Sequence, residues 1–108
     1  MENNKVITGI FINSEKKEIS VINLENNIRA VCPLIHCDKP LEFRLDGHVL
    51  FLDKDSLVYN KEKKYHFRIY ELQFAGNGLI LGKIKGGDYI NVSKSIDWVT
   101  ERVTFYQQ

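Results

Sequence analysis

The dipeptide Asp46-Gly47 is the feature that most restricts how this chain folds. Asp-Gly readily adopts the two positive φ angles of a tight hairpin turn, and it lies between Leu41-Glu42-Phe43-Arg44-Leu45 and His48-Val49-Leu50-Phe51-Leu52. Apolar alternation flanks the turn. Two antiparallel strands are therefore predicted over 41–45 and 48–52.

The same logic extends along the chain. Val6 to Ile12 and Ile19 to Leu24 are apolar and β-branched, and the polar stretch from Asn13 to Glu18 connects them as a hairpin. Tyr65 to Tyr70 reads as a further strand. Leu79 to Ile84 and Asp88 to Val92 pair across Lys85-Gly86-Gly87, and Thr104 to Tyr106 close the chain as a strand. Leu24, Ile28, Val31, Cys32 and Ile35 fall on one stripe at helical spacing, which predicts a helix with Asn23 as its N-cap. Pro33 lacks an amide hydrogen and predicts a kink or an early end there. A second, short helix starts at the cap Ser95, with Ile96, Val99 and Val103 on one face and Asp97 against the N-terminal dipole. The pattern predicts an α+β fold: a small, mostly antiparallel sheet built of hairpins, with one or two short helices packed on one face.

Length and charge bound the function. A chain of 108 residues is expected to form a single domain over residues 1–108, one that hides roughly two-thirds of its unfolded surface. With 15 Lys+Arg against 14 Asp+Glu the formal net charge is +1, which argues against a coat for long nucleic acid. The hydrophobic content of 44% and charged content of 27% suit a globular protein. Neither a secretory leader nor a membrane-spanning run is read in the sequence, and Cys32 and Cys37 do not make a disulfide framework. The expected location is the cytoplasm, with no membrane partner.

Several constellations invite chemistry. Gly76-Asn77-Gly78-Leu79-Ile80-Leu81-Gly82-Lys83 is rich in glycine like a phosphate loop. Five residues, however, separate Gly76 from Gly82, and Ile84 follows Lys83 where a hydroxyl would meet magnesium. The segment reads instead as a turn at Gly76–Gly78 leading into a buried strand. Cys32, His36 and Cys37 cluster, but a structural zinc site needs a second ligand pair, and His48 and His66 stand alone in strand-like runs. Cys32 reads as a small core residue, and no metal or other cofactor is expected. Asp53 and Asp55 suit either a carboxylate pair for acid–base or metal chemistry or a solvated turn, and the turn is the expected reading. No Ser-His-Asp or Cys-His order has a supporting motif.

The segment from Lys61 to Tyr70 is the strongest binding candidate. Lys61, Lys63, Lys64 and Arg68 surround Tyr59, Tyr65, Phe67 and Tyr70, and a second cationic spot lies at Lys83 and Lys85. Aromatic faces stack on bases while Lys and Arg contact phosphates. The same pattern also suits a strand with one aromatic face in the core and lysines guarding its edge. For a small nucleotide, the expected contacts are stacking by Tyr65 and phosphate contacts by Lys64, Arg68 and Lys85.

The order of elements resembles a family of short phage, plasmid and conjugative-element proteins known only as a domain of unknown function. The resemblance spans most of the chain. It rests on the N-terminal hairpin, a helix ending near Leu34-Ile35-His36-Cys37-Asp38, the Asp-Gly hairpin leading to Val49-Leu50-Phe51-Leu52-Asp53, and the run GNGLILG before a turn and a short final helix. The Lys61 to Lys64 insertion and Pro33 depart from that pattern. The resemblance implies an accessory protein of a mobile element and carries no catalytic residues. Together these readings predict a non-enzymatic binding module that counteracts or regulates host functions by gripping a small anionic nucleotide signal or a host protein. Self-association through remaining apolar surface is a further expectation. The alternatives are a metal-assisted nucleotide phosphodiesterase using Asp53, Asp55 and a histidine, and a weak nucleic-acid-binding domain.

Overall fold

The computed structural model describes residues 6–35, 40–53, 65–83 and 89–107. At the Asp-Gly turn, Asp46 (φ 48°) and Gly47 (φ 77°) both occupy the left-handed region, and Leu45 stands opposite His48. This two-residue connection joins β3 (Pro40–Leu45) to β4 (His48–Asp53). The N-terminal hairpin also forms as expected, with β1 (Val6–Asn13) and β2 (Glu18–Glu25) in register from Val6↔Glu25 to Asn13↔Glu18.

The remaining elements are α1 (Ile28–Ile35), β5 (Tyr65–Ile69), β6 (Leu72–Ala75), β7 (Gly78–Lys83), β8 (Tyr89–Ile90), α2 (Ile96–Arg102) and β9 (Val103–Gln107). They make two sheets, all antiparallel. The larger runs β2-β1-β7-β4-β3, with β8 also pairing β7, and the smaller runs β6-β5-β9.

The fold class is the expected α+β, mostly antiparallel with two short helices. The layering differs from a single sheet with helices on one face. Strand alternation divides the large sheet's side chains between two cores. Ile10, Ile12, Leu50, Leu52 and Ile80 meet Phe67, Ile69 and Phe74 of the small sheet and Val99 of α2. Ile7, Leu24, Val49, Phe51, Leu79 and Leu81 turn the other way, against Val31 and Ile35 of α1. The two helices thus lie on opposite faces of the large sheet. Burial on both faces explains why 48–52 and 79–81 are continuously apolar rather than alternating. Each fully buried Leu, Ile or Phe contributes about 1.5–3 kcal/mol relative to exposure.

Two local expectations need correction, and one strand was not read. The cap of α1 is Asn27, whose Oδ1 accepts the amide hydrogens of Arg29 at 2.8 Å and Ala30 at 3.2 Å. Asn23 and Leu24 instead complete β2, because the register with β1 extends to Glu25. Of the kink or early end expected at Pro33, the early end does not occur, since α1 continues to Ile35. Finally, β6 was not read in the sequence at all: Tyr70 and Glu71 turn the chain from Ile69 to its partner Leu72, with Tyr70 at φ 55°.

Ser95 caps α2 as expected, by accepting the Trp98 amide at 3.0 Å. Val103, expected on the helix face with Ile96 and Val99, instead ends the helix: its amide bonds to the Val99 carbonyl, its backbone is extended, and it opens β9. Gly76 (φ 87°) makes the turn before β7, and β7 is buried from Gly78 to Gly82. The Ser14 hydroxyl donates to the Gly76 carbonyl, and the Asn77 side chain accepts the Ser14 amide at 2.9 Å. The glycine-rich run is therefore a structural corner tied to the first hairpin.

Candidate functional site

The small sheet presents one face to the core and one outward. On β5, Phe67 and Ile69 are buried in the core shared with the large sheet. Alternation directs His66 and Arg68 to the opposite face. Register sets their neighbours: Arg68 lies between Gln73 of β6 and Thr104 of β9, and His66 lies between Ala75 and Tyr106.

Tyr106 roofs this face. Its ring stacks on the imidazole of His66 with centroids 5.1 Å apart and planes 16° from parallel. Its hydroxyl reaches across β5 and donates to Gln73 Oε1 at 2.9 Å. His66 is only 6% exposed, and among the described residues its Nδ1 has no hydrogen-bond partner. Leaving such a polar atom buried and unpaired costs about 1–3 kcal/mol, so it calls for a reason. Arg68 remains exposed beside it. Burial pushes the Tyr106 phenol above its ordinary value, and the Arg68 charge partly offsets this. A guanidinium, an aromatic ring, an amide and a hydroxyl thus share one surface above a partnerless imidazole nitrogen.

The expected ligand residues distribute unevenly. Arg68 lies on this face. Tyr65, half-buried at the start of β5, shares strand parity with Phe67 and Ile69, so alternation places it on the other side from Arg68. Lys64 and Lys85, with Lys61 and Lys63, lie outside the described residues. His66 and Tyr106 had no place in the predicted set. His66 differs from Arg68 by one strand period, which marks it from sequence, whereas Tyr106 arrives only through the pairing of β5 with β9.

The second cationic spot has a different character. Lys83 donates to Glu42 Oε1 at 2.9 Å, and Tyr89 donates its hydroxyl to Glu42 Oε2 at 2.5 Å. The Lys83 ammonium also lies 5.4 Å from the Tyr89 ring centroid, and Tyr89 meets Phe51 edge-on. Burial works to raise Glu42, but the hydrogen bonds from Tyr89 and Lys83 prevail and hold its carboxyl below its ordinary value. Burial and the bond to Glu42 push the Tyr89 phenol far up. This cluster is closed on itself and staples β3, β7 and β8 together.

A serine–histidine contact occurs at His48. The Ser93 amide donates to His48 Nε2 at 3.1 Å, so that nitrogen is an acceptor and the proton sits on Nδ1, which faces the Asp46 carbonyl at 3.1 Å. Ser93 Oγ lies 3.0 Å from the same Nε2. Because the lone pair already receives the backbone amide, the imidazole anchors the segment after β8 to the Asp-Gly turn rather than freeing Ser93 as a nucleophile.

Asp53 is buried at the end of β4, and Asp55 lies outside the described residues. Cys32 is half-buried on α1, with His36 and Cys37 outside the described residues. Among the described residues, no three His, Cys, Asp or Glu side chains gather where a metal ion would sit. No described helix is long and apolar enough to cross a membrane. No protein-family model, curated protein or solved structure matches the chain.

Proposed function

We propose that the chain is a non-enzymatic binding module that holds a small anion of the nucleotide class on the outward face of its three-stranded sheet. The observation that carries this reading is the buried, unpartnered Nδ1 of His66 beneath Tyr106 and beside Arg68. Arg68 supplies the charge for a phosphate, and the Tyr106 ring supplies a stacking surface for a base. Gln73 and Thr104 flank Arg68 with neutral polar groups that fix orientation. The hydrogen bond to Gln73 Oε1 holds the Tyr106 ring in place on this face. Lys64 and Lys85 would add phosphate contacts. The mobile-element setting implied by the resemblance makes a host nucleotide signal in the cytoplasm the ligand of interest, with its sequestration the means of counteracting host functions.

Titration calorimetry against a panel of cyclic and linear nucleotides tests this. Heat with one member that is lost in Arg68→Ala supports it. No heat with any member removes the nucleotide version and leaves a host protein as the partner.

A further inference from the structure

The outer edge of β2 has an arrangement of backbone groups that selects a partner. Thr8 of β1 donates its amide to Asn91 Oδ1 at 2.8 Å, and its carbonyl accepts the Val92 amide at 2.9 Å. Both groups therefore point to the β7–β8 side, away from β2. Backbone direction repeats every second residue, so Ile10 and Ile12, which pair with Ile80 and Gly78, point the same way. Their partners on β2 are Ile19, Val21 and Asn23, the last standing opposite Thr8. These three then form the non-hydrogen-bonded pairs of the hairpin and direct their N–H and C=O groups off the edge of the sheet.

Such edges are ordinarily blunted by lysine, proline, a bulge or a covering element. From Ile19 to Leu24 this strand has no lysine or proline, and its register with β1 is unbroken over its whole length. α2 packs beside β2, but among the described residues no backbone hydrogen bond joins it to Ile19, Val21 or Asn23. Val21, at its centre, is 51% exposed.

We propose that β2 pairs antiparallel with β2 of a second copy of this chain, with Val21 on the two-fold axis. In that register Val21 meets Val21 of the copy, Ile19 meets Asn23, and the outward N–H and C=O groups of all three find partners. The same two-fold also brings opposite charges together: Lys17, in the turn just before β2 (φ 57°), comes near Glu25 of the copy, and both are exposed. A shift of two positions either way loses that match and brings Lys17 near Asn23 or Asn27 instead. A closed two-fold pairing buries both edges and leaves no template for further growth along β2.

Sedimentation equilibrium of the full chain over a range of concentrations is the test. A dimer is expected, and Val21→Lys, a change at an exposed site, should raise its Kd by about tenfold or more. Lys17→Glu should weaken it as well, and adding Glu25→Lys to that variant should restore it. Hydrogen exchange should show the Val21 amide protected in the dimer and open on dilution, while thermal melts confirm that each variant folds. A chain that stays monomeric at the highest reachable concentration overturns the proposal. So does a folded Val21→Lys variant with an unchanged Kd.

Discussion

Tyr106 stacks on His66, and that imidazole carries a buried nitrogen, Nδ1, with no hydrogen-bond partner among the described residues. The two residues come from β9 and β5, and the register that joins them also sets Arg68 beside Thr104. A stack of this kind contributes favourable contact, but the lone nitrogen beneath it works against folding.

Replacing His66 with phenylalanine keeps an aromatic ring under Tyr106 and removes the unpaired nitrogen. His66→Phe should therefore raise stability by about 1 kcal/mol, seen as a higher denaturant midpoint with an unchanged m-value. The same variant should bind the nucleotide more weakly by calorimetry. A gain in stability coupled to a loss of binding is the signature of a site retained for function.

Gly78 opens β7 at a point where two layers meet. A Cβ there would lie 2.9 Å from Phe67 Cζ and 3.0 Å from Leu50 Cδ1. Both neighbours are fully buried, so neither has open space to move into. Gly78→Ala should cost about 1–3 kcal/mol of unfolding free energy. Gly47→Ala tests a different cause: nothing crowds its Cβ, so any loss there comes from its φ of 77° alone.

Alkaline conditions should act through Tyr89. Its folded phenol is raised above the ordinary value, first by burial and then by its bond to Glu42. A raised acid contributes stability that is fully present below its unfolded value, about pH 10, and that is lost as pH rises through the folded value. Thermal melts above about pH 10 should therefore show stability falling with pH, and Tyr89→Phe should flatten that fall. It should not abolish it, because Tyr70 and Tyr106 are raised too. Glu42 has the opposite sign. Its lowered carboxyl contributes stability above the ordinary carboxylate range, and that contribution disappears as pH falls through its folded value.

Local chemistry made part of this fold readable in advance. Asp46-Gly47 announces its hairpin because few other dipeptides tolerate two positive φ angles, and Ser95 announces α2 through its hydroxyl. What escaped depended on distant partners. Asn23 is a sound cap in isolation, yet β1 holds it in a strand and passes the capping role to Asn27. The turn into β6 has no glycine or asparagine to mark it, since Tyr70 itself takes the positive φ. The division into two sheets is likewise invisible locally, because alternation tells which side chains share a face and not which sheet the strand joins.

The site followed the same rule. Arg68 stands out as a cation among aromatics, but grouping it with Tyr65 ignored the alternation that separates odd from even positions on a strand. His66 and Tyr106 become neighbours only when β9 closes against β5.

Binding on the outward face of the three-stranded sheet is tested by amide chemical-shift mapping during titration with the nucleotide that gives calorimetric heat. The largest shifts should fall on His66, Arg68, Gln73, Thr104 and Tyr106. Shifts concentrated instead on Glu42, Lys83 and Tyr89, with that face unmoved, would contradict it.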